Sequence, residues 1–325
     1  MPPVAGPSMG RVSTTFAAGP VRVRVPATSA NLGPGFDALG LALALYDDVA
    51  AEVTADGVTV TVTGEGAGDL PVDDNHLVVR AMRATFDELG GQPPGLAVEC
   101  VNRIPQARGL GSSSAAIVAG VLLARALVTG GADRLDDAAV LRLAARIEGH
   151  PDNVAPCLLG GFTVAWTEPA GAQAVSLPVA DGVHPTVLIP AERGLTAVAR
   201  AALPASVPHG DAAFTAGRAA LLVHALTTQP ALLLPATLDR LHQHYRAPGM
   251  PETAALVERL RGAAVAAVVS GAGPTVLALS ELPEGFDPGT NWQVLRLAID
   301  VPGAQVGQGR LGHAERDPVA AGRKS

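Results

Sequence analysis

Lysine is all but missing from this chain. Among 325 residues the single lysine is Lys324, next to the C-terminal residue of the sequence. A Walker A loop sets its lysine on the β/γ-phosphates, and a protein kinase carries one on its third strand. Both are excluded, as is a lysine Schiff base in a core site. A nucleotide bound here would have to be held by backbone amides, serines, a metal and arginines. Cysteine is almost as scarce. Cys100 and Cys157 both lie in apolar stretches and read as reduced core residues of a cytosolic protein, not as a disulfide or metal pair. Uninterrupted apolar runs are absent as well, because Gly, Pro or charge breaks each one before about 18 residues, so no membrane span is expected. There is no basic excess: the net charge is −7 and the isoelectric point about 5.6, which argues against nucleic acid or an acidic membrane surface as a partner.

What is present is the composition of a globular protein, 48% hydrophobic and 16% charged, long enough for two domains or one large one. The chain is organised around the stretch that begins at Asn102 and reads NRIPQARGLGSSSAAIVAGVLLARALVTG. An apolar run, GLAVECV, precedes it and predicts a strand. A tight Pro105–Gly111 loop follows, then an Ala-rich apolar helix opened by Ser112, Ser113 and Ser114, residues of the type that cap helix N-termini. Gly109 and Gly111 allow backbone that other residues resist, so successive amide N–H groups can point into one space. Such amides at a helix N-terminus make an anion site suited to phosphate. Taken alone, a Gly/Ser connector explains the loop equally well.

Residues 1–20 are rich in Gly, Pro, Ser and Thr and are expected to be a disordered extension. VRVRV at 21–25 alternates as a strand, and PATSANLGPG after it is too rich in Pro, Gly and Asn to be regular. Two further strands follow, then a helix over 76–90 that stops at Gly90 and Gly91, and another over 133–148. The loop-like EPAGAQ suggests a domain boundary, dividing the chain into 21–165 and 166–302, with 303–325 a flexible Gly-rich tail. The second half reads as α+β, with strands at 185–189, 264–270 and 274–280 and helices at 195–203, 211–227, 235–244 and 252–261.

Three more motifs carry candidate chemistry. ANLGPGFD sets Asn31 and Asp37 on one Gly-Pro turn; they either satisfy their own backbone or bind an ammonium or hydroxyl. EGHPDN ends a helix with Glu148, His150 and Asp152; Glu148 and a loop serine would supply the hard oxygens Mg²⁺ prefers, and His150 and Asp152 would face a substrate. SGAGP, with Gly271 and Gly273, is a hairpin turn or a second glycine loop supporting the first. Thr196 and Arg200 stand four apart on one helix face, and Arg246 ends HQHYR. Each arginine alone suits a solvated surface; paired in a cleft they would clamp a carboxylate.

Together, PATSANLGPGFD, IPQARGLGSSSAA, EGHPDNVAP and SGAGP, in this order, resemble the GHMP kinase superfamily and, within it, the homoserine kinase branch. The likeness runs over residues 20–300. It implies a two-domain α+β fold, the N-terminal ATP-binding domain similar to ribosomal protein S5 domain 2 and the C-terminal one ferredoxin-like. It also implies phosphorylation of the L-homoserine hydroxyl by ATP with Mg²⁺, in a cytoplasmic protein that is often a homodimer. The roles carried over are as follows. Pro105, Arg108, Gly109, Leu110, Gly111, Ser112, Ser113, Ser114 and Ala115 would hold the ATP phosphates, and Asn75 would touch adenine. Ser113 with Glu148 would hold Mg²⁺. Asn31, Asp37, His150 and Asp152 would surround the ammonium and hydroxyl, with Thr196, Arg200 and Arg246 at the carboxylate or γ-phosphate. Either Asp37 or Asp152 could serve as a base, or none be needed. His244 stands where the resemblance leads one to expect proline, which could shift Arg246, and Thr215 where Asn is expected. The alternatives are a GHMP-fold kinase of another small hydroxy acid, or a non-catalytic GHMP-fold sensor.

Overall fold

A computed structural model describes residues 14–312. In chain order the elements are β1 (Val21–Ala30), β2 (Leu39–Thr54), β3 (Gly57–Gly64), α1 (Leu77–Glu88), β4 (Gly95–Asn102), α2 (Ser112–Leu127), α3 (Gly131–Arg134), α4 (Asp137–Glu148), α5 (Val154–Leu159), β5 (Phe162–Glu168), β6 (Gly171–Leu177) and β7 (Thr186–Pro190). They continue with α6 (Thr196–Ala201), α7 (His209–Thr227), α8 (Leu233–Ala236), α9 (Gln243–Arg246), α10 (Pro251–Gly262), β8 (Ala267–Val269), β9 (Val276–Ala278), β10 (Trp292–Arg296) and β11 (Gln305–Gln308).

The first sheet runs β11-β1-β2-β4-β3, with the β5–β6 hairpin attached to the start of β2. β3 and β4 are parallel, and α1 makes the crossover that parallel neighbours require. Three of its features correct the sequence reading. β1 does not stop at Val25 but runs through PATSA to Ala30. Pro26 has no N–H for the ladder, and the strand absorbs it with a register shift between Pro26 and Ala27. The expected boundary at 165/166 falls inside β5, and EPAGAQ is the turn of a hairpin whose second strand keeps the chain in the first sheet to Leu177. The chain also returns there at its far end: β11, within the segment expected to be a flexible tail, pairs with β1, and Leu311 is buried. The N-terminal extension begins earlier than expected to take structure. Phe16 bridges Val128 and stacks edge-on against Phe86, 5.7 Å away, so residues 14–20 are pinned by an aromatic anchor. Residues 1–13 and 313–325 of the two expected flexible ends lie outside the described residues.

The second sheet has the order β10-β7-β9-β8 with all neighbours antiparallel, the strand order of a ferredoxin-like sheet. Its strands alternate as the pleat demands. Val187, Ile189, Val268 and Leu277 face the core shared with the first sheet, while Leu188, Ala267, Val276 and Ala278 face α10. The helix expected over 235–244 is broken into α8 and α9. Asp239 accepts the N–H groups of Leu241, His242 and Gln243 at 2.7, 3.1 and 2.8 Å, a side-chain cap that starts a new turn. β6, β10 and β11 have no counterpart in the sequence reading.

α2 is the buried spine of the first half. It lies against β1 and α1, and a Cβ on Gly120 would come within 2.5 Å of the Val78 carbonyl oxygen, so only glycine lets the two helices meet this closely. That packing fixes where the N-terminus of α2 points.

Candidate active site

The N-terminus of α2 opens into a cavity of about 430 Å³ between the two sheets. Gly111 caps the helix in the left-handed conformation (φ 72°) with no side-chain cap, so the first-turn amides are not occupied by a capping side chain. The loop is clamped from the other half. A Cβ on Gly109 would sit 2.2 Å from the Ser270 carbonyl oxygen. Ser270 Oγ donates to the Gly109 carbonyl at 2.6 Å and lies 2.8 Å from Ser29 Oγ, and Asn31 Nδ2 donates to the Gly271 carbonyl at 2.9 Å. The SGAGP turn is thus the support on which the first loop rests.

Glu148, the last residue of α4, meets that helix start: its Oε1 accepts from Ser113 Oγ at 2.6 Å and Ser114 Oγ at 3.0 Å. Two residues on, past the left-handed Gly149, His150 Nδ1 lies 2.5 Å from Asp152 Oδ1. The hydrogen bond to Asp152 raises the His150 pKa above the usual imidazole value against the opposing effect of burial. Across the cavity Arg200 of α6 grips Asp37 with both terminal guanidinium nitrogens, Nη2 and Nη1, at 2.8 and 3.1 Å. Arg246 is buried, and its guanidinium lies 5.5 Å from the Phe36 ring centre. Desolvation and the neighbouring Arg200 lower its pKa.

Of the residues expected at the site, Asn31, Asn75, Pro105, Arg108 to Ser113, Ala115, Glu148, His150, Asp152, Thr196, Arg200, Arg246 and Gly271 line this one cavity. Asp37, Ser114 and Gly273 stand behind the lining. Arg108 is turned away from a phosphate role. Its guanidinium donates to the carbonyls of Gln106, Pro190 and Ala191 at 3.0, 3.0 and 2.8 Å and ties the loop to β7. The shift of Arg246 that His244 could cause does not remove it from the cavity, and Thr215 Oγ1 accepts the Arg240 N–H at 3.2 Å. Sequence reasoning assigned no role to four participants. Thr28 donates to Asn153 Oδ1 at 2.8 Å directly beneath Gly111. Asp47 is buried under the loop, accepting the N–H groups of Arg103 and Ile104, and burial pushes its carboxyl up to about 7. His76 caps α1 through Nδ1 and lines the cavity beside Asn75, with its buried Nε2 lacking a partner. Only Asn153 was signalled, as the last residue of EGHPDN.

A glycine loop feeding a helix N-terminus, set between a ferredoxin-like sheet and a mixed sheet, defines the fold and site of a GHMP kinase. Accordingly, the GHMP kinases N terminal domain matches residues 76–161 and the GHMP kinases C terminal domain residues 218–285. The homoserine kinase of Streptomyces coelicolor is 60% identical over 90% of this chain and 96% of its own length. That of Clavibacter michiganensis subsp. michiganensis is 54% identical over 88% of this chain and 93% of its own length. The crystal structure of homoserine kinase from Cytophaga hutchinsonii superimposes with a TM-score of 0.76 at 27% identity, covering 94% of this chain and all of that one. The chain belongs to the homoserine kinase family.

Proposed function

We propose that the chain transfers the γ-phosphate of ATP to the side-chain hydroxyl of L-homoserine, giving O-phospho-L-homoserine for threonine biosynthesis. The observation that carries this reading is a cavity with two unlike ends. One end offers the amides of Gly109 to Ser113 and an apolar wall of Leu70, Pro71 and Val78 beside Asn75; the other offers Arg200 and Arg246, with Asp37 behind them on Arg200. A triphosphate and its base suit the first, and an amino-acid zwitterion suits the second. The substrate ammonium would take Asp37 and its carboxylate Arg200 with Arg246, each end of the zwitterion claiming one partner of an existing ion pair.

Mg²⁺ fits the oxygens of Ser113 and Glu148. Two such ligands are enough for an ion that takes the rest from water and phosphate, and among the described residues no cluster of three or more His, Cys, Asp or Glu offers a rival site. Bound there, the ion would neutralise charge on the transferring phosphoryl group. The chain itself positions the reactants. His150, held by Asp152 and kept protonated to higher pH, adds positive charge near the hydroxyl. Both candidate bases, Asp37 and Asp152, are engaged by cationic or protonatable side chains. The loose transition state of phosphoryl transfer needs little help from a base, so positioning and charge neutralisation carry the step. The reading includes a cytoplasmic homodimer, which rests on the family resemblance; among the described residues no helix is long and apolar enough to cross a membrane.

The test is ADP release with Mg²⁺-ATP and a panel of L-homoserine, L-serine, mevalonate, shikimate and galactose. Selective turnover of L-homoserine is expected. Preference for another acceptor would replace the substrate, and ATP binding without any turnover would favour the sensor.

A further inference from the structure

His242 opens HQHYR, the segment that ends in Arg246, and was given no role there, yet it is completely buried at the seam of the substrate end. Its Nε2 lies 2.7 Å from the Gly33 carbonyl oxygen, in the ANLGPGFD turn. A carbonyl can only accept, so Nε2 carries the hydrogen. Its Nδ1 lies 3.2 Å from Arg246 Nη1. A guanidinium can only donate, so Nδ1 must present a lone pair. Two partners on opposite sides of the ring therefore demand the same species, the neutral Nε2–H tautomer. The ring also stacks on Phe36, centroids 5.1 Å apart, and Phe36 precedes Asp37 and lies under both Arg200 and Arg246.

The other groups around the ring agree. Asp239 Oδ2 is 3.6 Å from Nε2, but that carboxylate already accepts three backbone N–H groups. Burial and Arg246 oppose a charge on the imidazole, Asp239 and Asp37 favour one, and the balance lowers the pKa. Arg246 is otherwise held by the carbonyls of Ala199 and Gly271, at 3.2 Å each, through Nε and Nη1. Those contacts leave the Nη2 donors for a ligand carboxylate. Nη1 carries two hydrogens, and Gly271 and His242 take one each.

We propose that neutral His242 is a positioning residue that ties Arg246 to the Asn31–Asp37 turn, holding the carboxylate-binding and ammonium-binding groups at one fixed separation. This rests on the reading that the amino-acid acceptor docks between Asp37 and Arg246. The residue acts on substrate only through Arg246 and the turn, and its loss should reach the acceptor and not ATP.

Two near-isosteres separate the two bonds. In His242→Asn the amide oxygen replaces Nδ1 as acceptor for Arg246; in His242→Gln the amide NH₂ replaces Nε2 as donor to Gly33. KM and kcat for L-homoserine and for ATP, with thermal midpoints, are measured for both and for the wild type. The expected result is that Gln raises the homoserine KM about tenfold, the scale of one hydrogen bond to a charged group. Asn gives up only the neutral bond to Gly33, the weaker half of the tie, and should raise it by a smaller factor, about threefold. Neither should move the ATP KM. In an Arg246→Ala background the Gln change should add nothing further, since the bond it removes is already gone. Equal effects of Asn and Gln on both KM values, or additivity with Arg246→Ala, overturn the proposal and leave His242 as a core residue. Should either variant fail to fold, ¹⁵N spectra of the wild-type histidines decide: a protonated Nδ1 on His242 at neutral pH also overturns it. Failure of the wild type to turn over homoserine shows up before any variant is made and brings down the reading of function, and the proposal with it.

Discussion

The two ends of the cavity are made of different material. The end proposed for the phosphates is backbone: amides of Gly109 to Ser113 within one continuous stretch, presented by a helix start whose cap residue has no side chain to interfere. The end proposed for the acceptor is side chain: Asp37, Asp152, Arg200 and Arg246, drawn from four distant parts of the chain, with Asp37 paired to Arg200, Asp152 to His150, and Arg246 held by carbonyls and His242. A backbone cradle recognises what all nucleoside triphosphates share and tolerates side-chain change so long as the loop keeps its shape. An array of paired charges recognises one pattern of charge on one small molecule and is sensitive to every member. Glu148 joins the two, since it ends the helix that precedes His150 and Asp152 yet bonds the serines of the loop.

The largest effect should come at that junction. Glu148→Ala removes the one carboxylate on the loop serines, and kcat is expected to fall by about 10²–10³-fold, the usual scale for removing one charge-stabilising contact. Because Glu148 is only half-buried, at a helix end on the cavity wall, the thermal midpoint should hold within a few degrees. Unchanged turnover would remove Glu148 from the metal site. Next comes the cradle itself. Gly109→Ala puts a Cβ against the Ser270 carbonyl in a residue at φ 75°, so loop or partner must move. A loss of about 1–3 kcal/mol in stability and a rise in the KM for ATP larger than that for homoserine are expected. Equal rises would mean that the loop serves both ends.

What could be read from the sequence follows the same division. The loop, its serines and its helix were legible because the chemistry needs neighbours in sequence: glycines for the turn, serines at the cap, an apolar run behind. Strands were legible where they alternate, and were lost where punctuation misled. Pro26 suggested an end that a bulge absorbs, and Gly and Pro in EPAGAQ make a hairpin turn with the same composition as a linker. β10 and β11 are mostly exposed edge strands with no apolar stripe to announce them. Asp37 was singled out on its Gly-Pro turn and Arg200 on its helix face, but nothing in spacing says that they pair with each other. His76 and His242 carry no local signature, since each is defined by partners the fold supplies.

The ion pair itself gives a sharper test. Both Asp37 and Arg200 are more than a third exposed, so solvent screens their attraction, and breaking it should cost the fold less than about 1 kcal/mol. Binding should suffer more. Asp37→Ala and Arg200→Ala should each raise the homoserine KM about tenfold or more, with small changes in thermal midpoint. A carboxylate-only analogue, 4-hydroxybutyrate, must take Arg200 from Asp37 without returning an ammonium. It should therefore be a poor substrate of the wild type and relatively better with Asp37→Ala. If the ratio of the two substrates is the same in both proteins, the pair does not select zwitterions.

The smallest effect concerns His150, and its sign is fixed by the contact with Asp152. The pKa of His150 in the folded protein is raised above its unfolded value near 6.5, chiefly by that hydrogen bond. A raised imidazole binds its proton more tightly when folded. Its contribution to stability is thus complete below the unfolded pKa and fades as pH climbs through the folded one. Wild type should lose stability on going from pH 6 to pH 9 relative to His150→Gln, whose amide can still meet Asp152 but does not titrate in that window. With the ring only partly shielded, a difference below about 1 kcal/mol is expected, visible as a flatter dependence of thermal midpoint on pH in the variant. The substrate end would then be the half of the site whose strength follows pH. Over the same range the ATP KM should not follow the His150 titration, because the amides that hold the phosphates have no proton to lose; a pH dependence at that end belongs to Asp47 under the loop, whose carboxyl is pushed up to about 7. An ATP KM that follows the His150 titration would show that the imidazolium belongs to the phosphate end instead.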